Sequence, residues 1–413
     1  MTIAIIGGGI AGLSLALNLQ QRGIACTVYE RAPEVKELGV GITLLPHAMR
    51  EFTVLGVADE LLKAGIETKE SCFFNRFGQL IYKEERGKYA GYQFPEVMIH
   101  RGRLHMVLYR AALARLGPEH IKTNHDCVGV EQDDNGASVF FKEFSSGRAL
   151  PPVRADAVIA CDGINSVVRK QFYPDDAVAF SGINTWRGVT RRKPFLTGCS
   201  YTRTGSILTG KIVIYPIINN VDGEGNQLIN WMAEIKRDTF DQNDWNKPGN
   251  LADFFHIYRD WHFDWLDVAE MIRTADQILE YPMVDKDPVS RWTFERVTLA
   301  GDAAHPMYPR GSNGAAQGAI DARTLADFLA QNDDPRGALK AYEAARCETT
   351  AKVVHTNREH PPDFINIKVE ELVGDRPFDK LDDYITQNEL RALSENYKRI
   401  AGFSLPDVAS ERR

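Results

Sequence analysis

The stretch "TIAIIGGGIAGLSLALNLQQRGIACTVYE", residues 2–30, leaves few ways to fold. Its first five residues read as a buried strand, the next run has helical periodicity and stops at Gly23, and a second apolar run ends at Glu30. A helix joining two strands over so short a distance makes a parallel βαβ unit. Between strand and helix, Gly7-Gly8-Gly9-Ile10-Ala11-Gly12 fits G-x-G-x-x-G in the context that gives the pattern meaning. Gly7 permits the tight turn, Gly9 lets a pyrophosphate approach the backbone, and Gly12 lets the helix that begins around Ala11 pack on the sheet. The helix start offers free N–H groups to phosphate, and Glu30, 18 residues after Gly12, can accept from ribose hydroxyls. The opening therefore points to a dinucleotide.

A chain of 413 residues, 44% hydrophobic and 25% charged, has room for two or three domains with substantial cores. Net charge is −7, with no block of five Lys or Arg, which argues against a nucleic-acid partner. The six cysteines are scattered, with no C-x-x-C pair and no Cys/His spacing for zinc, so neither a metal nor a disulfide framework is expected. The first residues enter a strand directly, without the layout of a signal peptide, and no apolar run reaches the ~18 residues of a membrane span. A cytoplasmic protein without membrane association, monomer or homodimer, is the expectation.

Further along, "GVGITLLPHAMREFTVLGVADELLKAG" reads as a glycine turn and two short helices, Ser71 to Met98 as a β-hairpin around "NRFGQ", and Arg101 to Gly117 as a helix with Leu104, Leu108, Ala111 and Ala112 on one face. "DAVIACDG", Asp156 to Gly163, is another buried strand. From about Phe180 to Met283 long alternating strands predominate, such as "INTWRGVTRR", "GKIVIYPII" and "LINWMAEIKR", which predicts an antiparallel sheet. An α/β pattern returns at Arg296, and after about Gly337 the chain is helical, ending in an "ASERR" tail expected to fray. The predicted fold class is α/β. A Rossmann-type, GR2-like nucleotide-binding domain over 1–70, 97–178 and 284–345 is interrupted by a β-rich substrate domain over 71–96 and 179–283, with a C-terminal helical segment over 346–413.

Two later motifs select the nucleotide. "RVTLAGDAAHPMYPRGSNGAAQGAID" carries a strand into Gly301-Asp302, then into a helix entrance at Gly311 to Gly314. A carboxylate at a strand end can bond a ribityl hydroxyl, though an Asp there can also be a plain helix cap. "CDGINSVVR" supplies a second strand-end pair, Asp162-Gly163, before a short helix holding Arg169; by itself it is equally a turn whose Asp caps that helix near Asn165. Together with GGGIAG and Glu30, in this order and spacing, these motifs resemble the three signatures of the class A flavoprotein aromatic hydroxylases, the para-hydroxybenzoate hydroxylase-like FAD-dependent monooxygenases. The resemblance spans roughly residues 1–345. The stretch from "NRFGQ" to "HRGRLHMVL" and the "WRGVT" strand are most similar to the phenazine hydroxylase branch.

The resemblance implies FAD as cofactor and NADPH or NADH as co-substrate. It places Asp302 and Gly301 on the ribityl chain, Asp162 and Gly163 at the phosphates, Arg101 of "HRGRL" at the flavin phosphate or ribityl side with Arg103 on the surface, and Arg31 beside the adenosine. Pro309 and Gly311 lie at the flavin face as the catalytic backbone, and Gly311, Asn313, Gly314 and Ala315 border the flavin. Many members carry a different Gln and Asn arrangement around that second glycine, which leaves the side-chain contacts to the ring open. The implied reaction takes O2 and hydroxylates, with or without decarboxylation, a small aromatic or N-heteroaromatic compound through a flavin hydroperoxide shielded from water. Trp186, Tyr215, Met232 and Pro309 are candidate substrate-pocket residues, because the inner face of the inserted sheet must roof the flavin; each can equally be core. His47 and His100 are weaker candidates, and no general base is identified.

Other flavin-framework enzymes, a halogenase or a reductase, remain alternatives, although a halogenase's W-x-W-x-I-P run is missing. A non-catalytic FAD-bound redox sensor would need an effector domain or a reactive Cys pair, and neither is visible in the sequence. A nicotinamide-only dehydrogenase would leave Asp162 and Asp302 without a role.

Overall fold

The computed structural model describes residues 1–37, 39–239, 247–402 and 404–405; the "ASERR" tail lies outside them. The opening unit folds as its pattern dictates, with strands Thr2–Ile6 and Ala25–Tyr29 parallel, Ile3 opposite Cys26, and the helix Ile10–Gln21 between them. Ile3, Ile5, Leu15, Leu19 and Val28 are essentially inaccessible and join one core cluster. Each such side chain contributes about 1.5–3 kcal/mol on burial.

Among the described residues this sheet has six strands, in the order Thr293–Phe294, Val297–Leu299, Ala157–Ala160, Thr2–Ile6, Ala25–Tyr29, Ile121–Lys122. Strands from residues 2, 157 and 297 are thus parallel neighbours despite their separation in sequence. Their C-terminal ends lie on one edge, where Gly7, Asp162 and Asp302 follow them. Three distant motifs converge for that reason, and this edge is where open α/β sheets bind ligands.

The second sheet has eight strands among the described residues, in the order Lys247–Pro248, Gln277–Lys286, Val178–Arg192, Gln227–Lys236, Gly210–Ile218, Ser200–Ser206, Glu70–Phe74, Leu80–Glu85. All neighbours are antiparallel except Ser200–Ser206 and Glu70–Phe74. That hairpin arrives from an early part of the chain, so no tight turn fixes its direction. Side chains alternate between faces: Ile212, Ile214, Ile229 and Trp231 pack outward with the helices Leu251–Tyr258 and Val268–Arg273, while Val213, Tyr215 and Ile217 pack inward with Met98 and Ile66.

Several elements differ from the pattern reading. Gly41–Leu44 is a strand paired with Val97–His100, whereas the sequence suggested a turn; four apolar residues carry no period that separates strand from helix. Asp126–Asp133, Gly136–Lys142 and Val153–Ala155 form an unforeseen meander. After the long helix Gly314–Gln331, the helix Pro335–Glu359 passes unbroken through residues 345 and 346, and Phe364–Val373 and Gln387–Ile400 follow. The last begins with a capping box, Thr386 and Glu389 each bonding the other's backbone N–H.

Candidate active site

The glycine loop is built for close backbone approach. Gly7 has φ +100°, and a side chain there would overlap the Cys161 carbonyl, while one on Gly12 would overlap the Gly7 carbonyl. A β-carbon on Gly9 would instead enter open space, with nothing within 4 Å. Glu30 accepts hydrogen bonds from Gly8 N at 2.7 Å and Ala32 N at 2.8 Å, so it shapes the loop as well as facing it. His105 was not foreseen: its Nε2 lies 2.6 Å from the Gly8 carbonyl oxygen. Its only sequence signal is a position one helical turn after Arg101 on the same helix. Arg31 is exposed and rests over the Phe144 ring at 5.1 Å.

The late motif is anchored from beneath by Asp321. Its Oδ2 accepts from Gly301 N at 3.0 Å and lies 2.5 Å from His305 Nε2, and its Oδ1 accepts from Arg346 Nε at 2.8 Å. Burial opposes its charge, but His305 and Arg346 outweigh that and hold the carboxyl well below the usual range. The turn thus fixed, with Gly301 at φ +58°, presents Asp302 at the sheet edge. Asp302 is open to solvent yet closely walled by protein, and burial raises its carboxyl above the usual range while His305 and Arg101 act the other way. Its carboxylate makes no hydrogen bond within the described residues.

The central motif is similarly half engaged. Asp162 Oδ2 accepts from Val167 N at 2.9 Å, but Oδ1 is buried without a partner among the described residues. The helix cap proper is Ser166, accepting from Arg169 N, rather than a residue at Asn165. Gly163 has φ +78° and open space around it. Arg169, fully buried, donates to the Ala304 carbonyl at 2.7 Å and to Asp176 at 2.9 Å, tying this motif to the late one. Open glycine backbones at Gly9 and Gly163, an orphaned Asp162 oxygen and an unbonded Asp302 on one sheet edge suit a ligand with a pyrophosphate and a chain of hydroxyls. The set fits FAD.

Beyond Asp302 the chain makes a turn at Pro309–Gly311, passes through Ser312 at φ +57°, and enters the helix that starts at Gly314. Pro309 is exposed and Ala315 is half-buried against the helical core. Asn313 is fully buried; its Nδ2 donates to the Tyr397 hydroxyl at 2.9 Å, and its Oδ1 lies 3.1 Å from His47 Nε2. The Tyr397 hydroxyl in turn donates to Asn357 Oδ1 at 2.9 Å. Burial, reinforced by Arg50, lowers the pKa of His47 to about 3, which keeps its ring neutral. His100 stands 3.7 Å from Glu37, which also pairs with Arg103.

Of the pocket candidates, Tyr215 and Met232 share the inner face, Tyr215 stacking on Tyr201 at 4.9 Å. Trp186 does not join them. It stacks on Phe254 at 5.0 Å on the outer face, because strand alternation turns it toward the helix Leu251–Tyr258. The inner face also carries Arg203, which sequence reading passed over in the polar run "SYTRTGS". Its guanidinium lies between the rings of Tyr201, at 4.5 Å, and Phe73, at 5.0 Å, and donates to Ser71 Oγ. A small recess opens between Arg203, Tyr201 and Phe73 on one side and Gly311, Ser312 and Tyr397 on the other, with Glu84, Arg86, Glu96 and Lys398 also on its wall.

The FAD binding domain family matches residues 1–210 and 268–357. The chain belongs to that family. Within it, the chain is a class A flavoprotein aromatic hydroxylase, an FAD-dependent monooxygenase. It is 38% identical to a phenazine 1,6-dicarboxylic acid hydroxylase of Lysobacter antibioticus over 86% of this chain and 89% of the relative. It is 32% identical to a 3-amino-4-hydroxybenzoate 2-monooxygenase of Streptomyces platensis over 92% and 94%. The fold is that of Klebsiella pneumoniae HpxO complexed with FAD and uric acid, with a TM-score of 0.75, 22% identity and coverage of 99% and 97%. No helix of the described residues is long and apolar enough to cross a membrane.

Proposed function

We propose that this FAD-dependent monooxygenase uses NADH or NADPH and O2 to hydroxylate a flat aromatic or N-heteroaromatic carboxylate. The observation that carries this reading is the recess between the Pro309–Gly311 turn and the inner sheet face, with the Arg203 guanidinium set between two aromatic rings. An arginine held by stacking keeps N–H groups available for a carboxylate, while Phe73, Tyr201 and Leu45 give the same recess apolar surface for a ring. The names of the relatives, a phenazine dicarboxylic acid hydroxylase and an aminohydroxybenzoate monooxygenase, fit the same chemistry.

Bound FAD supplies the electron transfer and the activation of dioxygen. This chain's residues supply position and shelter. Gly7, Gly9 and Gly12 let the loop and helix start bind the pyrophosphate, Glu30 and Arg31 take the adenosine side, Asp162 and Gly163 take the phosphate side, and Asp302 with Arg101 takes the ribityl chain. Backbone N–H groups at the start of the Gly314 helix, with Ala315 behind them, favour negative charge on the pyrimidine edge. Tyr397 and Asn313 close the recess behind Gly311 and exclude water from it. Purified protein should show flavin absorbance and oxidise NADH or NADPH faster with a phenazine, salicylate or hydroxypyridine carboxylate, giving hydroxylated product rather than hydrogen peroxide. Stimulated oxidation yielding only peroxide with every compound would remove the hydroxylase reading.

A further inference from the structure

The inner sheet face holds a second arginine, Arg187, that no ion pair among the described residues engages. On the strand Val178–Arg192, Arg187 follows the outward-facing Trp186 and shares the inner face with Val189. Its guanidinium stands 5.3 Å from the Tyr281 ring centroid, and its Nε is buried without a hydrogen-bond partner among the described residues. No carboxylate of those residues forms an ion pair with it. Glu234, whose charge acts on it, is already engaged by Lys211 at 2.8 Å, and Arg101 adds a like charge. A guanidinium whose Nε is buried without a partner is costly to the free protein, and a bound anion would offset that cost.

Strand register relates it to Arg203. Arg187 is opposite Met232, Met232 opposite Val213, and Val213 opposite Arg203, so the two arginines lie in one row across the sheet. Three strand spacings put their Cα atoms roughly 14 Å apart, with two apolar side chains between them. A guanidinium at each end of an apolar row matches a flat ligand charged at each end.

We infer that Arg187 and Arg203 are paired anchors for a planar aromatic dicarboxylate, with Arg187 selecting the second acid group. This rests on the hydroxylase reading above and narrows its substrate class. Arg187 is thereby a specificity-determining residue.

The test uses the FAD-loaded full chain and three probes: phenazine-1,6-dicarboxylate, phenazine-1-carboxylate and unsubstituted phenazine. Binding is read from the flavin spectrum, and turnover from product. The wild-type protein should bind the diacid more tightly than the monoacid. Arg187→Gln should lose on the order of ten- to a hundredfold in diacid affinity, the range for one hydrogen bond to a charged group, and treat diacid and monoacid alike. Arg187→Lys should recover part of the difference, and FAD affinity and the KM for NADH or NADPH should stay at wild-type values. A wild-type protein indifferent to the second carboxylate, or an Arg187→Gln variant with unchanged diacid preference, would overturn the pairing while leaving the hydroxylase reading intact. Loss of FAD or of nicotinamide affinity in that variant would assign the charge to those ligands instead. An FAD-loaded wild-type protein that binds none of the three probes would take both readings down.

Discussion

The hydroxyl of Tyr397 occupies the space that a side chain on Gly311 would need, so the C-terminal helix and the Pro309–Gly311 turn can only meet through a glycine. The same hydroxyl accepts from Asn313 and donates to Asn357, joining three segments that are far apart in sequence. Gly311→Ala must displace the tyrosine, and the expected cost is about 1–3 kcal/mol from overpacking, with the two asparagine bonds lost besides. Thermal unfolding of the FAD-loaded variant should show a clear fall in Tm. Turnover should shift from product toward hydrogen peroxide, because the recess is no longer closed. An unchanged Tm and unchanged product yield would mean that Tyr397 moves aside freely.

Asp302 offers an unbonded carboxylate at the sheet edge, in the field of Arg101 and His305. Asp302→Ala should raise the FAD dissociation constant by about ten- to a hundredfold, the range for a charged hydrogen bond, with little change in the unfolding of the apoprotein. Titration of apoprotein with FAD, followed by fluorescence, measures this directly. Glu30→Ala should differ in kind. It strips acceptors from Gly8 and Ala32, so apoprotein stability should fall along with FAD affinity.

The parts of the site that could be read from sequence are those in which a few adjacent residues carry a backbone requirement. Gly7, Gly9, Gly12, Asp162 and Asp302 follow strands whose apolar runs are plain, and parallel pairing then brings them to one edge. Trp186 was misplaced because an alternating strand does not announce which of its faces is inward. That is settled by the helix Leu251–Tyr258, which covers the outer side. Arg203 was invisible because Ser200–Ser206 is rich in Ser and Thr, and only its central position in the sheet buries it. Tyr397 lies 84 residues from Asn313, a contact with no local signature.

His47 makes the protein's acid sensitivity testable. Its pKa is lowered to about 3 by burial and by Arg50, so below its ordinary value near 6.5 the unfolded chain takes up a proton that the folded chain refuses. Stability therefore falls as pH drops from about 6.5 toward 3, by on the order of 2 kcal/mol at pH 5. Glu84 adds a second, lower window. Burial opposes its charge, but Arg86 and Lys398 outweigh this and bring its pKa to about 2, so its stabilising contribution is present above about 4.5 and lost as pH falls toward 2. Denaturant unfolding between pH 7 and 4.5 should show the first slope in the wild-type protein and a flatter one in His47→Gln. Parallel slopes would show that His47 is protonated in the folded protein.

Arg169 is the residue whose removal should damage the site most without touching the flavin edge. It is fully buried, pairs with Asp176, and donates to the carbonyl of Ala304, two residues after Asp302. A buried guanidinium of this kind couples the position of the central motif to that of the late one, since Arg169 lies on the short helix whose first N–H, at Val167, bonds Asp162. Arg169→Met keeps the bulk but leaves Asp176 with Lys286 and takes a donor from three backbone carbonyls, those of Ala303, Ala304 and Asp287. Breaking one side of such a pair typically costs about 3–5 kcal/mol, so the variant should unfold at markedly lower denaturant. The informative comparison is with Asp176→Asn. That change also breaks the ion pair but leaves Arg169 bonded to Ala303 and Ala304, so it should lose stability while retaining FAD affinity. Arg169→Met should lose both. Equal FAD affinity in the two variants would show that the late turn is held by Asp321 and His305 alone.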